Sequence, residues 1–139
     1  MFWRIALEAT MIMCIKKRYM RAMQEGLKTI EFRLFDDKRQ GLRLGSRIRF
    51  VMSASTEDPD EFLCARVTGL LWYASFEKMV YDLPVSWLPV RAKSGYSCKM
   101  EMYALVGELY TIYPAEKQLL NGVIGIRFEV IDPALYCGV

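Results

Sequence analysis

Apolar and polar residues alternate in two registers along this 139-residue chain, and the switches between registers mark its elements. Residues 11–15, MIMCI, are a short apolar run that suits a buried strand. From Lys16 to Glu25 the period is helical: Ile15, Tyr19, Ala22 and Met23 share one face, and Lys16, Lys17, Arg18 and Arg21 form a solvated basic face. Gly26 is where such a helix ends, since glycine tolerates the left-handed conformation just past the last turn. From Lys28 the period becomes two. Ile30, Phe32 and Leu34 point one way, and Thr29, Glu31 and Arg33 the other.

Asp36 to Gln40 reads as a polar turn, after which Arg47 to Met52 alternates again with Ile48, Phe50 and Met52 inward. Ser53 to Asp60 is an acidic loop, and Phe62 to Trp72 a long strand in which Gly69 marks a bulge or sharp bend. Ser75 is placed to cap a short helix carrying Phe76, Met79 and Val80, which Pro84 ends. Leu83 to Ser97 reads as an extended loop whose Trp87, Arg91, Lys93 and Tyr96 suit either stacking on a nucleotide or pinning the loop to the core. Lys99 to Tyr113 is helical, with Met102, Leu105, Val106, Leu109 and Ile112 as its buried stripe. One further turn over Ala115 to Leu120 and a tight Asn121-Gly122 turn lead into a last strand, Val123 to Ile131. Strands outnumber helices and no strict βαβ rhythm appears, which points to an α+β fold: a small, mostly antiparallel β-barrel with helices packed on its outside. A single domain over 11–139 is expected, with residues 1–10 a short extension, or with Met11 or Met13 as the true start.

Composition narrows the chemistry. With no histidine and four cysteines scattered at 14, 64, 98 and 137, a tetrahedral zinc site and any His-based acid, base or triad fall away, so no metal and no cofactor are expected. Reduced thiols fit a cytoplasmic protein, and no apolar run has the roughly 20 residues of a membrane span. Net charge is +3 but uneven: residues 11–50 hold eleven Lys or Arg against four Asp or Glu (+7), leaving eight against twelve (−4) elsewhere. A basic lobe on an acidic body suits a phosphate, nucleotide or polyanion partner, and equally a solvated face with none.

The stretch Gly26-Leu27-Lys28-Thr29-Ile30-Glu31-Phe32-Arg33 resembles the G-x-K-T-I-E-x-R signature of ASCH domains, a branch of the PUA-like superfamily. The likeness runs on through Leu34-Phe35-Asp36-Asp37-Lys38-Arg39-Gln40 and Leu44-Gly45-Ser46-Arg47-Ile48-Arg49-Phe50, and returns at Tyr113-Pro114-Ala115-Glu116-Lys117-Gln118 and Gly122 to Ile126. It spans roughly Met11 to Ile131 and implies a PUA-like β-barrel with a cleft beside the Lys-Thr-x-Glu-x-Arg strand. The resemblance also implies RNA binding or, in some branches, hydrolysis: one deacetylates an acetylated cytidine through a lysine, a threonine and a glutamate, and another cleaves RNA. By position that lysine is Lys28, the threonine's place is taken by Glu31, and the nearest candidate for the glutamate is Glu101.

Three functions are weighed on these residues. As a binding module for RNA or a nucleotide, Lys28, Arg33, Lys38 and Arg39 meet phosphate, Glu31 accepts from a base or ribose, and aromatics such as Tyr113 stack. As a hydrolase, Lys28 acts as base toward water or Thr29 while Glu31 shuttles the proton. Residues three apart on a strand face opposite sides, so Lys28 and Glu31 meet only if a turn or bulge at Thr29 brings them together. As a structural domain, Glu31–Arg33 and Asp36–Arg39 pairs hold the mouth of the barrel and nothing binds. The binding module is the preferred reading.

Overall fold

In the computed structural model, residues 10–52 and 61–132 are described. Residues 1–9 of the expected extension over 1–10, the acidic loop over 53–60 and the residues from 133 on lie outside them. Among the described residues, five strands form one sheet: β1 (Met11–Ile15), β2 (Ile30–Leu34), β3 (Arg47–Met52), β4 (Phe62–Tyr73) and β5 (Val123–Val130). Their order is β1-β3-β4-β5-β2; the β1–β3 pair is parallel and the other three are antiparallel. Also among the described residues, four α-helices accompany them: α1 (Lys17–Gln24), α2 (Phe76–Asp82), α3 (Gly95–Ile112) and α4 (Ala115–Asn121). The α+β expectation holds, but the sheet is a curled half-barrel, not a closed barrel. Among the described residues, strands β1 and β2 are its two edges and share no ladder.

The bend has a local cause. The β4–β5 register slips between Val67 and Gly69, and a Cβ at Gly69 would stand 3.3 Å from that of Arg127, so glycine lets the strands approach where the sheet curls. Ser75 caps α2 through Lys78 N–H, as the sequence indicated. The region read as a loop over 83–97 is more ordered: Val85–Trp87 make a 3-10 turn, and α3 begins at Gly95, four residues earlier than the periodicity indicated.

Two cores lie on opposite faces of the sheet. On the concave side, Met13, Ile48, Phe50, Ala65, Ile124 and Ile126 pack against Met20 and Met23 of α1. On the other, Ile30, Phe32 and Val123 meet α2 and α3 through Phe76, Met79, Cys98 and Leu109. Strand β5 therefore buries alternate residues on both faces, which is why it reads as a nearly continuous apolar run. In α3 the expected stripe is only partly buried, and Ile112 is exposed because it borders a cleft instead of the core.

Candidate functional site

Helix α1 sets the site. Past Glu25 the chain turns through Gly26 at φ 81°, and the N–H groups of both Leu27 and Lys28 donate to Ala22 O at 3.0 Å. These two hydrogen bonds to the last turn fold the chain back under α1, so Lys28 lies before β2 begins and escapes the strand's alternation. Its side chain runs beneath the rings of Tyr19 and Phe32, 5.5 and 4.9 Å from their centroids. The separation of Lys28 and Glu31 expected from strand geometry is thus corrected: Lys28 Nζ donates to Ile30 O at 2.6 Å and stands 3.2 Å from Glu31 Oε1.

Strand register aims the other two charges. Glu31 lies opposite Ile126 and Arg33 opposite Ile124, so both project to the concave side while Ile30 and Phe32 enter the outer core. Arg33 Nε donates to Glu31 Oε2 at 2.8 Å, and Arg33 Nη2 lies 2.7 Å from the same oxygen. That Nη2 also donates to Cys14 O at 2.8 Å, bridging β2 and β1, the two edges of the sheet among the described residues. Lys28, Glu31 and Arg33 are one network across the seam of the half-barrel.

Burial sets its electrostatics. Lys28 is 4% exposed and Glu31 5%. For Lys28 desolvation outweighs the attraction of Glu31 and lowers the pKa from the usual lysine value. For Glu31 desolvation opposes ionisation, but the charges of Lys28 and Arg33 and their hydrogen bonds prevail and hold the carboxyl below its usual range. Arg33 also loses hydration, yet Glu31 fixes its charge more firmly than water does. Burial raises the phenol of Tyr113.

The network forms one wall of a cleft of about 460 Å³ between α1 and α3, with Tyr19, Phe32 and Tyr113 as aromatic walls. Lys16 and Arg18, read as solvated, border this cleft too, and Glu108 of α3 accepts from both Arg18 and Tyr19, tying α3 to α1 across it. Tyr19 and Glu108 were not picked out from sequence; helical spacing gave Tyr19 a core role, and nothing local marks Glu108.

The other expected site residues divide. Thr29 does not line the cleft; its carbonyl accepts from Phe128 N–H. Lys38 and Arg39 stand in a second cavity on the far side of Arg33. Glu101 is committed elsewhere, its carboxylate accepting from Arg91 and Ala92 N–H at 2.8 Å each, which lowers its pKa. Of the loop residues, Trp87 stacks 3.8 Å under the guanidinium of Arg127, Arg91 pairs with Glu25, Lys93 donates to Leu88 O, and Tyr96 is exposed. None of these four lines the cleft; Pro89 does.

No protein-family model and no curated protein sequence matches the chain. Its fold is similar to solved structures. The crystal structure of hypothetical protein PH0355 superposes with a TM-score of 0.67 at 24% identity, over 88% of this chain and 100% of that one. The solution NMR structure of protein PF0455 from Pyrococcus furiosus gives 0.63 at 23% identity, over 89% and 99%. At these identities the likeness concerns the fold.

Proposed function

We propose that this protein is a nucleotide- or RNA-binding module of the ASCH, PUA-like type, and that the cleft between α1 and α3 receives a nucleobase and its ribose. One observation carries the reading: a buried Lys28–Glu31–Arg33 network forms the wall of a concave, aromatic-lined cleft of about 460 Å³. That volume is in the range of small-molecule sites, in which a few fixed polar groups orient the ligand among apolar walls. Tyr19 and Tyr113 offer faces for stacking. Glu31 is a fixed acceptor for an exocyclic amine or a ribose hydroxyl, and Lys16 and Arg18 supply positive charge at the rim. The test is fluorescence anisotropy with a labelled mixed-sequence RNA hexamer at low salt. Lys28→Met should weaken binding at least tenfold while thermal unfolding confirms the fold. No binding by the wild-type protein ends this reading.

A second reading, hydrolysis of a modified nucleoside, has one observation in its favour. Burial moves Lys28 toward the range of a general base. Against it, Lys28 already donates to Ile30 O and Glu31, both Glu31 oxygens accept hydrogen bonds, and Thr29 lies off the cleft. Acetate release from acetylated cytidine, abolished by Lys28→Met, decides for this second reading.

A further inference from the structure

Arg33 is a partition as well as a bridge. On its other side, and sharing Cys14 with the first cleft, lies a second cavity of about 450 Å³, walled by residues 11–14 of β1 and by Arg33, Lys38 and Arg39. Among the described residues, three cations and no carboxylate line it. Asp36, the carboxylate that reaches Arg39, stands from Nη1 at 3.4 Å through each oxygen, a marginal contact. Arg39 Nε is buried and finds no hydrogen-bond partner among the described residues, and the side chain as a whole is 13% exposed. An unpaired buried donor is costly, and a guanidinium presents a fork that matches phosphate oxygens. Among the described residues, the β1 edge that borders this cavity has no neighbouring strand to fill the space.

We infer that the second cavity is a phosphate subsite, so that the ligand spans the seam with its base in the first cleft and the adjoining phosphodiester held by Arg39 and Lys38 beyond Arg33. This rests on the proposed function and narrows it: the ligand is a phosphate-bearing chain of at least two nucleotides and not a free nucleoside. The shared Arg33 fixes the two subsites next to one another, as a nucleoside and its neighbouring phosphate must be.

The test compares two labelled hexamers of the same mixed sequence, one RNA and one with an uncharged morpholino backbone, against wild-type protein, Lys38→Glu and Arg39→Gln. Lys38 is exposed, so its variant keeps the experiment interpretable if Arg39→Gln perturbs the turn. Each variant is expected to bind RNA about tenfold more weakly. The dependence of log affinity on log salt should flatten by about 0.7 for each phosphate that the variant no longer neutralises. Affinity for the neutral hexamer should not move. Wild-type RNA affinity and salt slope in both variants overturn the phosphate subsite, while Lys28-dependent binding of the neutral hexamer leaves the first cleft standing. If neither hexamer binds wild-type protein, both the subsite and the reading beneath it fall. Equal competition by hexaglutamate makes the cavity a general anion patch and also overturns the inference.

Discussion

Replacing Glu31 by Gln removes a single charge from the centre of the seam network and leaves the buried Lys28 and the half-buried Arg33 facing each other. Gln keeps the size of the side chain, and its amide oxygen still accepts from Arg33, so the change acts through charge. Lys28 is 4% exposed and then has no carboxylate at 3.2 Å to offset desolvation. Breaking a buried pair from one side costs about 3–5 kcal/mol. The structure also sets a ceiling, because the folded variant can always release the Lys28 proton. From the ordinary lysine value of 10.5, at 1.36 kcal/mol per pH unit, that release costs about 5 kcal/mol at pH 7 and about 2 kcal/mol at pH 9.

The sign follows from linkage. Burial holds the folded pKa of Lys28 below 10.5 in both proteins, and lower in the variant, which lacks the carboxylate; between the two folded values only the variant gains stability as pH rises, so its deficit shrinks there. Urea unfolding followed from pH 7 upward should therefore show a loss of about 3–5 kcal/mol at pH 7 that becomes smaller as pH rises. Adding Lys28→Met to the variant should recover much of the loss at pH 7, because the uncompensated ammonium is gone. A deficit below about 1 kcal/mol at pH 7, or one that does not change with pH, contradicts the view that Glu31 offsets part of the desolvation of Lys28.

Three further outcomes are expected. The folded pKa of Glu31 is depressed, so its stabilisation is full above the usual carboxyl value of 4.5 and lost as pH falls through the folded value; the acid unfolding limb should flatten in Glu31→Gln. Gly125→Ala places a Cβ 3.0 Å from Ile30 Cδ1 and 3.1 Å from Met79 Sδ, and overpacking should cost about 1–3 kcal/mol in urea titrations. Gly26→Ala meets nothing within 4 Å, yet φ there is +81°, so its cost of about 1–2 kcal/mol is purely backbone. Because that turn delivers Lys28, hexamer binding should also fall in Gly26→Ala, and should be retained in the folded fraction of Gly125→Ala.

Alternation in β2 was enough to place Glu31 and Arg33 together, because a period of two is set by the backbone and does not depend on neighbours. The position of Lys28 was not legible. It depends on two hydrogen bonds to Ala22 O that fold the chain before the strand starts, and a strand period extrapolated backwards through Thr29 sends Lys28 to the wrong side. The same limit applies to Lys16 and Arg18. Their face of α1 is polar by periodicity, but α3, far along the chain, comes to stand opposite and makes that face one side of a cleft. The start of α3 was obscured by Gly95, which sits at φ +77° as the first helical residue and reads as loop. Glu101 was drawn into the site by the family likeness alone; its two backbone hydrogen bonds hold the loop before α3 instead.

What the network favours chemically follows from counting acceptors. Glu31 Oε1 faces Lys28 Nζ at 3.2 Å and Phe32 N–H at 3.3 Å, while Oε2 takes Arg33 Nε at 2.8 Å. A carboxylate with that many donors has its pKa held low and its lone pairs engaged, which makes it a weak proton acceptor but a rigid one. Rigidity without basicity serves recognition. A ligand amine approaching Glu31 competes with Arg33, whose Nη2 keeps its second bond to Cys14 O across the seam. Occupancy of the cleft and closure of the half-barrel's open side therefore draw on the same guanidinium. Arg33→Lys, which retains the charge but not the fork, should separate the two: the carboxylate keeps a cation, and the bridge to β1 is lost.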